Sequence, residues 1–210
     1  MNPHQLPPLA HFGVPLASAR VAAILLHGRE QSPGIMDEAV VSRVGLADVA
    51  YVAPFADARS WYPAGFMAPR EDNEPRLGWA LERVQSLSEA LEAEGFPPSR
   101  QVLIGFSQGA CLACESVYRR RRRVGALIAF TGGLIGPAGT SWRADFALAR
   151  MPVLLGGDRA DPWVPAARMV DTADVFVRLG AEVSLELYTG TGHVIGDAQI
   201  AAARAVLAGL

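Results

Sequence analysis

The sequence lacks any run of about 20 apolar residues, the length that a membrane-spanning helix requires. Its first residues, Met1-Asn2-Pro3-His4, also lack the basic stretch and apolar core of a secretory signal. We therefore expect a cytoplasmic protein that does not insert into membranes.

Charge of one sign is not in excess either. The chain has 19 Lys and Arg against 21 Asp and Glu, for a net charge of −2, so it has no electrostatic preference for a polyanion. The one basic run, Arg119 to Arg123, lies where a predicted helix ends, and cations are favourable at that end of a helix. We interpret the run as a solvated surface cluster and expect no nucleic-acid partner.

Cysteine is scarce. Cys111 and Cys114 are the only two, and their C-x-x-C spacing is typical of redox and zinc sites. No second cysteine pair or nearby histidine completes a zinc site, so no metal is expected. Both residues fall on one face of a predicted helix, where small apolar side chains pack well, and we interpret them as packing residues.

Short aliphatic runs alternate with longer amphipathic segments, a pattern typical of parallel strands joined by crossover helices. A chain of 210 residues fits one domain, and six apolar runs predict an α/β fold whose mostly parallel sheet carries helices on both faces. We expect residues 1–20 to form an extended arm or edge strand and residues 21–210 a single domain. The predicted strands are Val21 to Leu26, Val49 to Ala53, Gln101 to Ile104, Ala126 to Phe130, Pro152 to Leu155 and Val183 to Tyr188. The predicted helices cover residues 34–43, 74–94, 108–119, 165–179 and 195–207.

The most informative motif is Gly105-Phe106-Ser107-Gln108-Gly109, which follows a predicted strand and precedes a predicted helix. This G-x-S-x-G pattern is typical of a nucleophile elbow, a turn so tight that its flanking positions require glycine. It predicts Ser107 as a nucleophile placed at a helix N-terminus, where a developing negative charge is favourable. The alternative is an ordinary turn with a bystander serine.

A serine nucleophile needs a base and a group that orients the base. His193, in Thr189-Gly190-Thr191-Gly192-His193 after the last strand, is the predicted base. Two acids, Asp158 and Asp161, follow the preceding strand; Asp161 is the chosen one because Pro162 and Pro165 hold its backbone, whereas a glycine-rich turn alone explains Asp158. Ser107, Asp161 and His193 stand in the chain order of α/β-hydrolase triads.

An oxyanion hole requires two backbone N–H groups directed at the substrate carbonyl. We predict Gln108, next to the nucleophile, as one donor. The other is expected from the loop His27-Gly28-Arg29-Glu30 after the first apolar strand, and we assign it to Arg29.

Taken together, these stretches resemble the phospholipase/carboxylesterase branch of the α/β-hydrolases, which includes the acyl-protein thioesterases. The resemblance extends from about Val21 onward and rests on Leu25-Leu26-His27-Gly28, Gly105-Phe106-Ser107-Gln108-Gly109-Ala110, Asp161-Pro162-Trp163-Val164-Pro165, Gly192-His193 and Trp61-Tyr62-Pro63. It implies an α/β-hydrolase without a large cap domain that cleaves carboxylic esters or thioesters without a cofactor. It also favours Asp161 over Asp158.

The sequence departs from the family pattern after His27-Gly28, where the family often has an uncharged residue followed by glycine and this chain has Arg29 and Glu30. An Arg29 side chain that faces the pocket would attract an anionic substrate, and a Glu30 side chain that faces it would repel one. The long segment from Pro54 to Pro75 predicts a pocket wall, a core extension or both.

We predict Trp61, Tyr62, Phe66 and Trp163 as substrate-binding residues, with Trp163 narrowing the pocket so that short or compact acyl groups are preferred. An acyltransferase or lyase using the same triad, or a binding protein without turnover, is the alternative function. A homodimer is possible from the sequence.

Overall fold

The structure, a computed structural model, describes residues 2–5, 7–190 and 192–210. Met1, Leu6 and Thr191, the last of which belongs to the predicted base loop, lie outside the described residues. The strands are β1 (Leu9–Gly13), β2 (Val21–Leu26), β3 (Val49–Pro54), β4 (Gln101–Phe106), β5 (Ala126–Phe130), β6 (Pro152–Asp158) and β7 (Glu182–Tyr188). The helices are α1 (Pro33–Met36), α2 (Ser42–Val44), α3 (Arg76–Ala93), α4 (Gln108–Arg120), α5 (Ala166–Arg178) and α6 (Asp197–Ala208), with a π-helical turn (Asp37–Val41) between α1 and α2.

The seven strands form one sheet in the order β1-β3-β2-β4-β5-β6-β7. All neighbouring pairs are parallel except β1 and β3, which are antiparallel. Every residue of β2, β3, β4 and β5 is buried, as expected for strands covered on both faces. The predicted α/β architecture with a mostly parallel sheet is confirmed.

Two apolar layers enclose the sheet. Helices α3, α4 and α5 pack on one face, through residues such as Leu81, Leu112 and Phe176. The segment from α1 to α2 packs with α6 on the other face, through residues such as Met36 and Leu207. Alternate residues of each strand therefore contribute to opposite layers, and the sheet with its carboxyl-terminal edge lies between the two layers.

Strands β4 and β6 are longer than predicted. The prediction ended them before glycines, yet Gly105 pairs with Ala129, and Gly156 and Gly157 pair with residues of β7. Glycine weakens a strand in isolation, but two hydrogen-bonded neighbours hold these positions extended. The extension carries β4 to the residue before Ser107 and β6 to Asp158.

The amino-terminal segment is bound to the rest of the molecule. Strand β1 forms the sheet edge beside β3. His4, for which the sequence indicated no contact, is fully buried. Its Nε2 donates to the Trp61 carbonyl oxygen at 3.1 Å, and its Nδ1 accepts from the Asp57 N–H at 3.1 Å. The domain division at residue 20 stays a prediction.

Because burial, with a smaller effect from Arg76, lowers the pKa of His4 to about 4, we expect the arm to make stability pH-dependent. Above pH 6.5 the ring is neutral in both states. Between pH 6.5 and 4 only the unfolded chain binds a proton there, so this residue destabilises the fold by at most about 3 kcal/mol as the pH falls. Urea unfolding at several pH values between 7 and 4 measures the free energy of unfolding, which should fall less steeply with decreasing pH in His4→Gln than in the wild type. The same pH dependence in both proteins would contradict this.

Both cysteines are buried thiols, as their interpretation as packing residues requires. Burial raises the pKa of Cys111 to about 12 and that of Cys114 well above its usual range. Neither residue is therefore a thiolate near neutral pH.

Three arginines of the basic run form ion pairs. Arg119 binds Glu115 and Glu74, Arg121 binds Asp145, and Arg122 binds Glu92. These pairs neutralise much of the run and agree with its interpretation as a surface cluster. Within the described ranges, no helix is long and apolar enough to cross a membrane.

Candidate active site

The site lies at the carboxyl-terminal edge of the sheet, where neighbouring parallel strands end side by side. Ser107 follows β4, Asp161 follows β6, and His193 follows β7. The connections at this edge, residues 55–75 and 131–151, contain only short turns in the part of the chain that the structure describes. Among the described residues, therefore, no cap-sized insertion covers these strand ends.

Ser107 occupies a strained turn. Its φ of 53° and ψ of −116° lie outside the regions that residues with a side chain ordinarily adopt. The flanking glycines permit the turn, because a Cβ on Gly105 would lie 2.3 Å from the Gly109 carbonyl oxygen, and one on Gly109 would lie 2.2 Å from that of Leu26. The elbow therefore depends on glycine at both positions, as the motif predicts.

Three side chains form a continuous hydrogen-bonded chain. The Ser107 Oγ lies 2.9 Å from His193 Nε2, and His193 Nδ1 lies 2.8 Å from Asp161 Oδ2. A carboxylate only accepts hydrogen bonds, so Nδ1 carries the proton and Nε2 is free to accept from the serine hydroxyl. The arrangement can remove a proton from Ser107 and hold it on the imidazole.

The acid is fixed from its other side. Asp161 Oδ1 accepts hydrogen bonds from the N–H groups of Trp163 and Val164, at 2.7 and 2.8 Å. Its side chain is fully buried, whereas 21% of the His193 side chain is exposed. The carboxylate is thus aimed at the imidazole by the turn that follows β6.

Asp158, the other candidate acid, is the last residue of β6 and binds backbone N–H groups, including one in the loop before His193. Its Oδ1 accepts from the Ala160 N–H at 2.7 Å and its Oδ2 accepts from the Gly192 N–H at 3.0 Å. Gly192 immediately precedes His193, so Asp158 anchors the segment that delivers the imidazole.

His27 lies at the same edge but both of its ring nitrogens are bound. Nδ1 lies 2.7 Å from the Gly28 carbonyl oxygen, and Nε2 accepts from the Ala56 N–H at 3.1 Å. Burial lowers the pKa of His27, so the ring is neutral at neutral pH. It holds two loops together and has no nitrogen free to accept a proton from Ser107.

A cavity of about 510 Å³ opens beside Ser107 and His193. Arg29, Gln108, Tyr62, Phe66 and Trp163, all predicted site residues, contribute to its wall. Burial raises the pKa of the Tyr62 phenol well above its usual range, and Cys111, also in the wall, is an uncharged thiol. Tyr62 and Cys111 are therefore uncharged parts of the wall near neutral pH, whereas the charged residues Arg29 and Glu30, which also line the cavity, are both exposed.

The two predicted tryptophans occupy very different places. Trp163 contributes to the cavity edge and is 72% exposed. Trp61 does not contribute to the described cavity wall: its ring is fully buried, and its Nε1 donates to the His27 carbonyl oxygen at 2.8 Å. The structure therefore brings Tyr62, Phe66 and Trp163 to the cavity, while Trp61 supports it from behind.

Arg168 supports the cavity wall and was not identified from the sequence. Its buried guanidinium donates to the carbonyl oxygens of Leu134 and Gly136 at 2.9 and 2.7 Å, and lies 5.9 Å from the centre of the Phe66 ring. A single arginine on a helical segment gives no sequence signal that it is buried.

The residues predicted to supply the oxyanion donors, Arg29 and Gln108, line the same cavity as Ser107. Gln108 begins α4, and Arg29 follows Gly28 in the loop after β2. A Cβ on Gly28 would lie 2.9 Å from Gln31 Oε1 and 3.2 Å from the Phe106 ring, so a larger residue at this bend requires the Gln31 side chain to shift. Among the described residues, the Arg29 N–H has no hydrogen-bond acceptor.

The family model described as phospholipase/carboxylesterase matches residues 15–209. The chain belongs to the phospholipase/carboxylesterase family. This membership confirms the resemblance found in the motifs and supports an esterase-type hydrolase with small-molecule ester substrates.

Solved structures agree with the family assignment. A phospholipase/carboxylesterase from Dyadobacter fermentans is 32% identical, with 96% of each chain covered and a TM-score of 0.86. A carboxylesterase from Mesorhizobium loti is 20% identical, with 97% of this chain and 95% of that chain covered and a TM-score of 0.79. Esterase PE8 is 23% identical, with 97% of each chain covered and a TM-score of 0.75. The last two show the shared α/β-hydrolase fold alone.

The comparison with curated proteins gives no match.

Proposed function

We propose that this family member is a serine hydrolase that cleaves carboxylic esters or thioesters through an acyl-enzyme. The observation that carries the proposal is the hydrogen-bonded chain from Ser107 through His193 to Asp161, with distances of 2.9 and 2.8 Å. An isolated serine hydroxyl is a poor nucleophile at neutral pH, and a neighbouring imidazole of this orientation is what activates it.

In the first half-reaction, Ser107 Oγ bonds to the acyl carbon while His193 Nε2 takes the hydroxyl proton. The resulting imidazolium is stabilised by the buried Asp161 carboxylate. As the tetrahedral intermediate collapses, the bond to the alcohol or thiol breaks, and His193 returns the proton to that leaving group.

In the second half-reaction, a water molecule replaces the leaving group. His193 removes one of its protons as the oxygen attacks the acyl-serine, and the proton then passes back to Ser107 Oγ as the carboxylic acid leaves. The N–H groups of Arg29 and Gln108 stabilise the oxyanion in both steps. Each such donor contributes about 10²- to 10³-fold to kcat in hydrolases of this kind.

The test of this proposal is an assay of p-nitrophenyl butyrate and S-butyryl-thiocholine with the purified full chain. We expect hydrolysis of at least one of them, inhibited by prior reaction with a fluorophosphonate. Product analysis in the presence of methanol distinguishes hydrolysis from acyl transfer, because a transferase would yield mainly methyl butyrate. A chain that binds these esters without turnover would instead be a binding protein.

Acyl length supplies a second test. We propose that compact acyl groups are preferred, because Tyr62, Phe66 and Cys111 bound the cavity and Arg168 holds Phe66 from behind. We expect kcat/KM for p-nitrophenyl butyrate to exceed that for the palmitate ester by about 10-fold or more, since overpacking a rigid wall costs on the order of 1–3 kcal/mol. Initial rates below the critical micelle concentration measure the ratio, and faster turnover of palmitate would contradict it.

A further inference from the structure

One backbone oxygen links the two predicted oxyanion residues. The Tyr62 carbonyl oxygen accepts a hydrogen bond from Arg29 Nη2 at 2.9 Å and another from Gln108 Nε2 at 2.8 Å. The hydroxyl of Ser60 donates to the same oxygen at 2.9 Å. Arg29 and Gln108 are 79 residues apart in the sequence, yet their side chains converge on this single acceptor.

The Arg29 side chain is committed to this segment. Besides Tyr62, its guanidinium donates to the carbonyl oxygens of Pro63 at 2.8 Å and Ala64 at 2.7 Å, so it binds three consecutive carbonyls. Both hydrogens of Nη2 are used in these bonds. A guanidinium binds a carboxylate in bidentate fashion either through Nε and Nη2 or through Nη1 and Nη2, and both arrangements need a hydrogen of Nη2. The side chain is therefore arranged as a support and not as a bidentate site for an anionic substrate.

Gln108 is held equally firmly from the other side. Its Oε1 accepts from the Trp61 N–H at 3.0 Å, while Nε2 donates to the Tyr62 carbonyl oxygen. Gln108 as a whole is 6% exposed, so its side-chain amide has little competition from water. Residues 61 and 62 are thereby fixed to the first turn of α4, next to Ser107.

On this basis, and resting on the function proposed above, we propose that Arg29 and Gln108 each have a second role. Their side chains, joined through the Tyr62 carbonyl oxygen, hold the two oxyanion N–H groups at a fixed spacing. An oxyanion hole stabilises the transition state because its donors are already in place when charge develops. The Arg29 N–H has no acceptor of its own in the described part of the chain. The N–H groups of its neighbours Gly28 and Glu30 bind Gln31 Oε1 and the Arg59 carbonyl oxygen, whereas the Arg29 guanidinium is what joins this loop to the carbonyl that Gln108 also binds. We call this arrangement the Tyr62 bridge.

The first test is Arg29→Met, which removes the guanidinium and keeps the backbone N–H. A misplaced donor weakens binding of the transition state more than binding of the substrate. We expect kcat to fall about 10- to 100-fold with KM changed less than about 3-fold. Affinity for a trifluoromethyl ketone, which forms a tetrahedral adduct with an active serine, should fall by the same factor as kcat/KM. Arg29→Lys, which can still donate to some of these carbonyls, should recover part of the loss.

Arg100→Met is the matched control. Arg100 is also an exposed arginine that donates to two backbone carbonyls, those of Ala19 and Arg20, and it is absent from the described cavity wall. Its replacement should leave kcat and ketone affinity within about 2-fold of wild type, and both variants should show similar changes in Tm. A loss of kcat and ketone affinity that occurs in Arg29→Met but not in Arg100→Met then reflects the position of the oxyanion N–H and not the general stability of the protein.

A double-mutant cycle with Gln108→Met tests the link itself. If both side chains act through one bridge, the combined variant loses less than the product of the two separate losses. Wild-type kcat and ketone affinity in Arg29→Met, a raised KM at unchanged kcat, or independent effects of the two substitutions would each overturn the bridge. If any of these three results is obtained while the wild type is active and Ser107→Ala is inactive, the bridge is wrong but the proposed function stands. A wild-type protein without esterase or thioesterase activity would overturn both the bridge and the proposed function.

Discussion

Ser107→Ala is expected to lower kcat/KM for p-nitrophenyl butyrate by about 10⁴-fold or more. The substitution removes the only atom that bonds covalently to the acyl group and leaves the oxyanion donors in place. The fold should be unaffected, because the elbow is set by Gly105 and Gly109, whose Cβ positions are blocked by backbone. Steady-state kinetics measures the activity, and thermal unfolding should give a Tm within a few degrees of wild type.

Ser116→Ala provides the matched control for this result. Ser116 is a buried serine in α4, the helix that follows Ser107, and it lies more than two helical turns beyond the elbow. Its replacement should retain activity within about 3-fold. If Ser107→Ala kept substantial activity, the attack would come from another residue or from water, and the proposed mechanism would be wrong.

Asp161→Asn is the second large effect, with kcat expected to fall about 10³- to 10⁴-fold. The reason lies in the contacts of Oδ1, which accepts from the N–H groups of Trp163 and Val164. An asparagine would keep its carbonyl oxygen there and place its NH₂ against His193 Nδ1. Nδ1 must then be the unprotonated nitrogen, so Nε2 carries the proton and cannot accept one from Ser107.

Asp158→Asn separates the two acids. Asp158 Oδ1 accepts from the Ala160 N–H and Oδ2 accepts from the Gly192 N–H, so an asparagine keeps only one of these two acceptors and turns its NH₂ toward the other N–H. This loosens the loop but leaves the hydrogen bond between Asp161 and His193 Nδ1 unchanged. We expect a loss of less than about 10-fold in kcat, and kinetics of the two variants side by side measures the contrast. Equal losses for both substitutions would mean that Asp158 also acts on the imidazole.

The strand segments and the site residues that follow them could be predicted from the sequence. Runs such as Val21 to Leu26 are apolar throughout, and only a sheet covered on both faces buries every residue of such a strand. Because parallel strands end at one edge, serine, aspartate and histidine after three different strands were expected to meet. The glycines at positions 105 and 109 indicated the elbow through steric requirements that act locally.

Contacts between distant segments could not be predicted. Nothing in the local pattern indicates that His4 is buried against Trp61, or that Arg29 and Gln108 share an acceptor, since each contact depends on how a long loop returns to the sheet. The segment 55–75 shows this limit clearly. Both of its predicted roles are present, with Tyr62 and Phe66 at the cavity and Trp61 in the core.

The central claim is that Ser107 is the nucleophile of an ester or thioester hydrolase, activated by His193. The most direct measurement is peptide mapping by mass spectrometry of the full chain after reaction with a fluorophosphonate. The account predicts one adduct per chain, on the peptide that contains Ser107, formed much more slowly in His193→Ala. A chain that forms no adduct, or one that carries it on a different residue, would contradict the claim.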